Sequence, residues 1–167
     1  DLPKQIGRSG MAQFRWLMDF GSYRDLQRHR AVIQPMPLLT AKIGFEEWYV
    51  RQLPNHIRDG DMARIIDKVH DTYNLFADRE SWSSLQYLVP MGFQVQCEVT
   101  GDLPALVYLA ELRSGSTVHP TMRLRAQQLG GLLRHMFGPF GLVVHLDESD
   151  MGRFDVRRGN HDITAKV

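Results

Sequence analysis

The chain has 167 residues, 43% of them hydrophobic, with 20 Lys and Arg against 19 Asp and Glu for a net charge of +1. That length and apolar content suffice for one domain with its own core, and the charge balance argues against the strongly basic footprint of a general nucleic-acid binder. The single cysteine, Cys97, excludes an internal disulfide framework; no apolar run reaches the length of a membrane span and no signal-peptide pattern opens the sequence, so the expectation is a cytoplasmic protein.

Residues 12–18 place Phe14, Trp16 and Met18 on one side at period two, the pattern of a half-buried strand. Asp19 to Gly21 then turns the chain. Ser22 with Asp25 three residues on resembles a capping box and predicts a helix over 22–30 whose last turn presents Arg28, His29 and Arg30. Pro35 and Pro37 deny that helix a continuation, which leaves 31–45 extended or looped. A short helix over 46–53 is stopped by Pro54, and Asp59-Gly60 marks a turn. From Asp61, read as an N-cap, Met62, Ile65, Ile66, Val69, Tyr73 and Phe76 recur at helical spacing. His70 beside that seam reads as an ordinary boundary histidine, because no second ligand stands three or four residues away.

Phe93, Val95, Cys97 and Val99 alternate with Gln94, Gln96 and Glu98 and predict a second strand with a buried thiol. Asp102 caps a helix over 103–113, with Pro104 in its first turn. Pro120 suits the first position of the last long helix, whose buried line is Met122, Ala126, Leu129, Leu133 and Met136, and which Gly138-Pro139 ends. Gly130-Gly131 weakens that helix by ~1 kcal/mol per glycine relative to alanine, which points to close packing of another element. Leu142 to Leu146 predicts a short strand, and 147–167 a polar C-terminal arm. With no repeat and no composition break, 1–167 reads as a single α+β domain, a small and mainly antiparallel sheet flanked by helices.

The usual catalytic signatures are missing: there is no metal-ligand spacing, glycine-rich phosphate loop or nucleophile elbow, and the seven histidines are scattered. No catalytic residue and no metal ligand is assigned. What remains is basic: Arg28-His29-Arg30, Arg113, and the run from His119 to Arg125. Arginine holds its charge at any working pH and offers a planar fork of donors, and a helix N-terminus beside it also attracts anions. Together these suit a phosphorylated ligand. The plainer reading of the triplet is a solvated cap that complements a helix C-terminus. A nucleic-acid module using Arg28, Arg30, Arg123, Arg125, Arg157 and Arg158 is a further reading, against which the balanced charge weighs.

In order, Arg28-His29-Arg30, Leu88-Val89-Pro90 running into Phe93 to Val99, Leu112-Arg113, and His119 with Arg125 resemble the flavin-dependent thymidylate synthase family over residues 12 to about 140. The chain looks like a divergent member and, with no histidine-bearing segment ahead of the triplet, like a piece of a longer protein. The resemblance implies a thymidylate synthase-complementing type of fold and a homo-oligomeric flavoprotein, commonly a tetramer. It also implies a methyltransferase of nucleotide biosynthesis, turning dUMP into dTMP with FAD, NADPH and methylenetetrahydrofolate. By the same resemblance Arg28, His29, Arg30 and His119 hold FAD, and Arg113 and Arg125 contact the substrate. Where the family continues with Ser, Asn-Glu, a further Ser and Arg, this chain has Ile33, Pro35-Met36, Leu38 and Thr40; the family's glutamine before the triplet is Asp25 and its arginine before the Val-Leu-Pro segment is Gln86. Those replacements carry an alternative expectation, a non-catalytic domain of the same type serving as oligomer scaffold or partner of a catalytic half.

Overall fold

A computed structural model describes residues 10–149 of the chain. Two strands, β1 (Met11–Asp19) and β2 (Gln94–Asp102), pair antiparallel from Met11 opposite Asp102 to Asp19 opposite Gln94. The alternation of β2 sets this register, because a slip of one residue would turn Val95, Cys97 and Val99 from the core to solvent. The opposite face carries polar cross-strand partners, with Gln13 Nε2 donating to Glu98 Oε1 at 2.7 Å and Arg15 paired to the same carboxylate at 2.6 Å. Along the other edge of β2, isolated bridges from Ile33 to Thr100 and from Phe45 to Phe93 tie down the loop after the first helix.

The helices are α1 (Phe20–Leu26), α2 (Glu47–Arg51), α3 (Ala63–Ala77), α4 (Trp82–Leu85), α5 (Leu103–Arg113) and α6 (Pro120–Phe137). The architecture of the described residues is thus α+β, with the sheet reduced to two strands. Helices α5 and α6 pack on each other, α5 against β2 and α6 against β1. Leu106, Leu109 and Ala110 of α5 share the core with Met122, Ala126, Leu129 and Leu133 of α6 and with the inner face of β2. Met136, expected in that line, is exposed. The starts of these helices follow local chemistry: the Asp102 side chain accepts from Ala105 N at 2.8 Å, and Pro120 opens α6. Cys97 packs in the core, where burial and then the Glu98 charge push its thiol up to about 12, so it is held un-ionised.

Several local expectations are corrected. Helix α1 starts two residues before Ser22, because Asp19 closes the strand and its carboxylate accepts Ser22 N at 2.8 Å; it also ends at Leu26, which leaves Arg28-His29-Arg30 on the turn beyond. A π-helical turn, Ile57–Met62, absorbs the Asp59-Gly60 pair and leads straight into α3. No orphan amide is left there for Asp61 to cap, and its carboxylate pairs with Arg64 instead. Within the α3 seam Tyr73 is buried and Ile65 is exposed. Residues 142–146 form no strand: they lie across α6, with Val144 buried and its carbonyl accepting from the Arg134 guanidinium at 2.6 Å in place of a ladder partner. Gly130 permits that crossing, since a Cβ there would come within 2.5 Å of Leu146. Of the polar arm only 147–149 are described; the remainder lies outside the described residues. Among the described residues no helix is long and apolar enough to cross a membrane.

Candidate anion-binding site

Because α1 stops at Leu26, the basic triplet stands on the turn beyond it. Leu26 O accepts from His29 N at 3.0 Å and from the Gln34 side-chain amide at 3.0 Å. Leu26 O thus has its donors without the side chains of the triplet, and Arg28 and Arg30 are exposed to solvent as the plainer reading expects. Facing it is the last residue of α5: Arg113 Nε donates to His29 Nε2 at 2.7 Å and its terminal nitrogen to Asp25 O at 2.7 Å. The His29 ring meets Tyr108 edge-on at 6.2 Å. Arg28, His29, Arg30, Tyr108 and Arg113 line one cavity of about 270 Å³.

The hydrogen bond fixes the state of the imidazole. A nitrogen that accepts from a guanidinium carries no proton, so His29 is neutral with its hydrogen on Nδ1. Burial and then the Arg113 charge lower its pKa below the ordinary 6.5. Arg113 itself is lowered from its usual value by burial and by Arg28, against the opposing Asp25 charge. Arg28 pairs with Asp25 at 3.1 Å, but its side chain is 69% exposed, which makes the pair a weak one. Arg30 is exposed and makes no hydrogen bond or ion pair among the described residues. The cavity wall thus carries three cations, Arg28, Arg30 and Arg113, beside a neutral ring.

His119 and Arg125 belong to a different region. His119 caps α6, its Nδ1 lying 2.8 Å from Thr121 Oγ1, which in turn lies 2.6 Å from Ser22 Oγ. Its ring sits against Trp48 at 4.6 Å and Tyr49 at 5.4 Å. Tyr49 OH donates to Asp19 Oδ2 at 3.1 Å, and Asp19 is wholly buried, with Oδ1 unpartnered among the described residues. Burial lowers the His119 pKa against the pull of Asp19, Asp25 and Glu46, and burial followed by Asp19 raises that of Tyr49. Asp19, Trp48 and Tyr49 were not singled out from sequence, where the only hint was an aromatic pair in a short helix. Arg125 donates to Gln128 Oε1 at 3.0 Å and stands 3.9 Å from Glu46. The six residues expected to form one site are therefore split, with Arg28, His29, Arg30 and Arg113 together and His119 and Arg125 elsewhere.

The nucleic-acid reading also loses members. Arg123 is buried, its Nε donating to Ser114 O at 2.8 Å, and Arg157 and Arg158 lie outside the described residues. Among the described residues no three His, Cys, Asp or Glu side chains gather to hold a metal ion.

No family model matches the sequence. The chain is 31% identical over 138 residues to a UPF0159 protein of Chlamydia muridarum, a match covering 81% of this chain and 26% of that protein. It is 32% identical over 152 residues to a UPF0159 protein of Chlamydia pneumoniae, covering 85% and 27%. A UPF0159 protein of Thermoplasma acidophilum is 27% identical over 139 residues, covering 82% and 28%. These relatives overturn the resemblance to flavin-dependent thymidylate synthases, and with it the flavoprotein and methyltransferase reading and the scaffold alternative drawn from the same family. The physical reason is that the resemblance rested on the order of short, common motifs, and the fold does not bring those motifs to one place. FAD, NADPH, methylenetetrahydrofolate and dUMP entered through that resemblance alone. The chain spans about a quarter of the length of the curated relatives it matches.

Proposed function

We propose that this chain binds a small anionic ligand, one carrying a phosphate or carboxylate group, in the cavity between the turn after α1 and the end of α5. The observation that carries this reading is the Arg113 guanidinium, pinned by His29 Nε2 and Asp25 O so that it faces Arg28 and Arg30 across the cavity. A guanidinium positioned in advance loses little freedom on meeting an oxyanion, and neutral His29 positions it without adding a competing charge. Arg30 supplies an exposed donor. The Tyr108 ring offers an apolar wall for whatever carries the acid group.

Calorimetric titration with inorganic pyrophosphate tests the proposal. A hydrogen bond to a charged group contributes roughly 1.5–3 kcal/mol, so Arg30→Ala is expected to weaken a saturable, salt-sensitive interaction by about ten- to a hundredfold. Equal binding by Arg30→Ala and by the unaltered chain overturns the site, as does the lack of saturable binding at low salt.

A further inference from the structure

A second cavity lies outside that site and shares no residue with it. It is a slot of about 500 Å³ between β1 and α6, lined by Phe14 and Trp16 from the strand and by Leu129, Gly131 and Leu132 from the helix, with Arg15, Arg125 and Gln128 as its polar groups. Its volume falls within the roughly 300–1,000 Å³ of small-ligand pockets, and its make-up is theirs too: apolar and aromatic walls with a few polar groups.

The two adjacent glycines of α6 provide a second, independent observation. Gly130 has a reason within the chain, because a Cβ there would meet Leu146 at 2.5 Å. Gly131 has none: a Cβ there would meet nothing within 4 Å, and the residue is exposed in the interior of an 18-residue helix. Glycine at such a place costs a helix about 1 kcal/mol relative to alanine. What its missing side chain does is widen the slot.

The polar groups narrow the class of occupant. The charge of Arg15 is answered by Glu98 at 2.6 Å. Arg125 is held to Gln128, and its nearest carboxylate, Glu46, stands 3.9 Å away and also accepts from Gln94 Nε2 at 3.1 Å and Trp48 N at 3.4 Å. Arg125 therefore remains the cation with charge to offer the slot. The Trp16 indole N–H is directed along the strand to Met18 Sδ at 3.3 Å, so its one donor is engaged and the ring presents apolar surface.

We infer that the β1–α6 slot binds a flat aromatic acid, its ring lying between Phe14 and Trp16 and the glycine-opened face of α6, its acid group on Arg125. Offset stacking against the two aromatic walls and one charge-assisted hydrogen bond are the interactions that select it. The inference stands apart from the pyrophosphate site, and either holds or fails without the other.

The test uses 1-naphthoate as probe, with tryptophan quenching and calorimetry as readouts. Saturable one-to-one binding is expected, at least tenfold weaker in Gly131→Leu, whose new side chain fills the slot. Thermal melting should show Gly131→Leu folded and no less stable, since leucine is the better helix former. Arg125→Gln is expected to weaken 1-naphthoate about tenfold and to leave neutral 1-naphthylmethanol unchanged, whereas Arg30→Ala should alter neither. Undiminished binding by Gly131→Leu, loss of binding in Arg30→Ala, or no saturable binding at millimolar probe overturns the inference. So does a dimer in sedimentation velocity that Gly131→Leu dissociates, because the slot would then be an interface between copies.

Discussion

Arg113 and Arg123 stand ten residues apart on either side of the α5–α6 loop, and the fold puts them to opposite uses. Arg123 is 1% exposed, and its guanidinium is turned on the chain itself: Nε donates to Ser114 O at 2.8 Å and a terminal nitrogen reaches Ser149 O and Oγ at 3.2 Å, with Asp147 Oδ1 at 3.5 Å. Asp147 completes the clasp by accepting Ser116 N at 2.8 Å and Ser149 N at 2.9 Å, and its own amide donates to Ser114 Oγ at 3.0 Å. Arg113 is only half-buried, and its two bonds position it at a cavity wall. The difference teaches that an arginine is structural when the chain surrounds it with carbonyls, and available to a ligand when the chain merely orients it.

Replacing the buried partner should have the largest effect. Arg123→Ala leaves the buried Ser114 carbonyl without its donor and the partly exposed Asp147 carboxylate without its cation; a hydrogen bond to a charged group contributes about 1.5–3 kcal/mol and the space left by a buried side chain adds to it, so a loss of roughly 2–4 kcal/mol is expected. Urea unfolding followed by circular dichroism is expected to show a loss of this order, while pyrophosphate binding by the remaining folded protein stays intact. A loss below about 1 kcal/mol would mean that the 142–149 segment is not anchored through Arg123, and the contrast would fail on its structural side.

Arg113→Ala should invert that pattern. It removes two hydrogen bonds from groups that water can reach, so a stability loss of about 1–2 kcal/mol is expected, alongside the loss of pyrophosphate binding. If Arg113→Ala instead unfolds the chain as Arg123→Ala does, the two arginines are alike and the cavity is a structural joint.

How far this contrast could be read in advance depended on the range of the interactions involved. The Asp102 and Pro120 helix starts and the β2 alternation are written within a few residues, and they appear in the fold as read. The start of α1 was misplaced because the Ser22–Asp25 spacing is a local signal, whereas Asp19 caps the helix only because β1 delivers its carboxylate there. The 142–146 run looks like a strand by composition, but its neighbours are Gly130 and Arg134, contacts that no local pattern encodes. The basic character of Arg28-His29-Arg30 and Arg113 was visible. Which of the other basic residues would join them was not, since His119 is claimed by Trp48 and Tyr49 and Arg123 by Asp147, from elements far away in sequence.

The smallest effect separates the two regions by pH. His29 and His119 both titrate below 6.5 in the folded chain, His29 because of burial and Arg113, His119 because of burial. In the unfolded chain they protonate near 6.5, so below that pH the unfolded state binds more protons. Stability is therefore full above about 6.5 and declines as the pH falls from there toward the folded values. Asp147 acts lower on the scale. Burial pushes its pKa up, but hydrogen bonds from Ser149 and Ser116 and the Arg123 charge outweigh it, and the carboxyl ends below its ordinary 3.8. Its contribution is present above 3.8 and lost as pH falls through the lowered value. Urea midpoints measured against pH should thus show a shallow decline beginning near 6.5 and a second in strong acid. His29→Gln keeps an acceptor for Arg113 without a titrating ring, and is expected to make the first decline shallower, leaving the part due to His119, and to spare the second. If His29→Gln leaves the first decline as it was, protonation of His29 does not disturb Arg113, and the neutral imidazole is not what holds that guanidinium at the cavity wall.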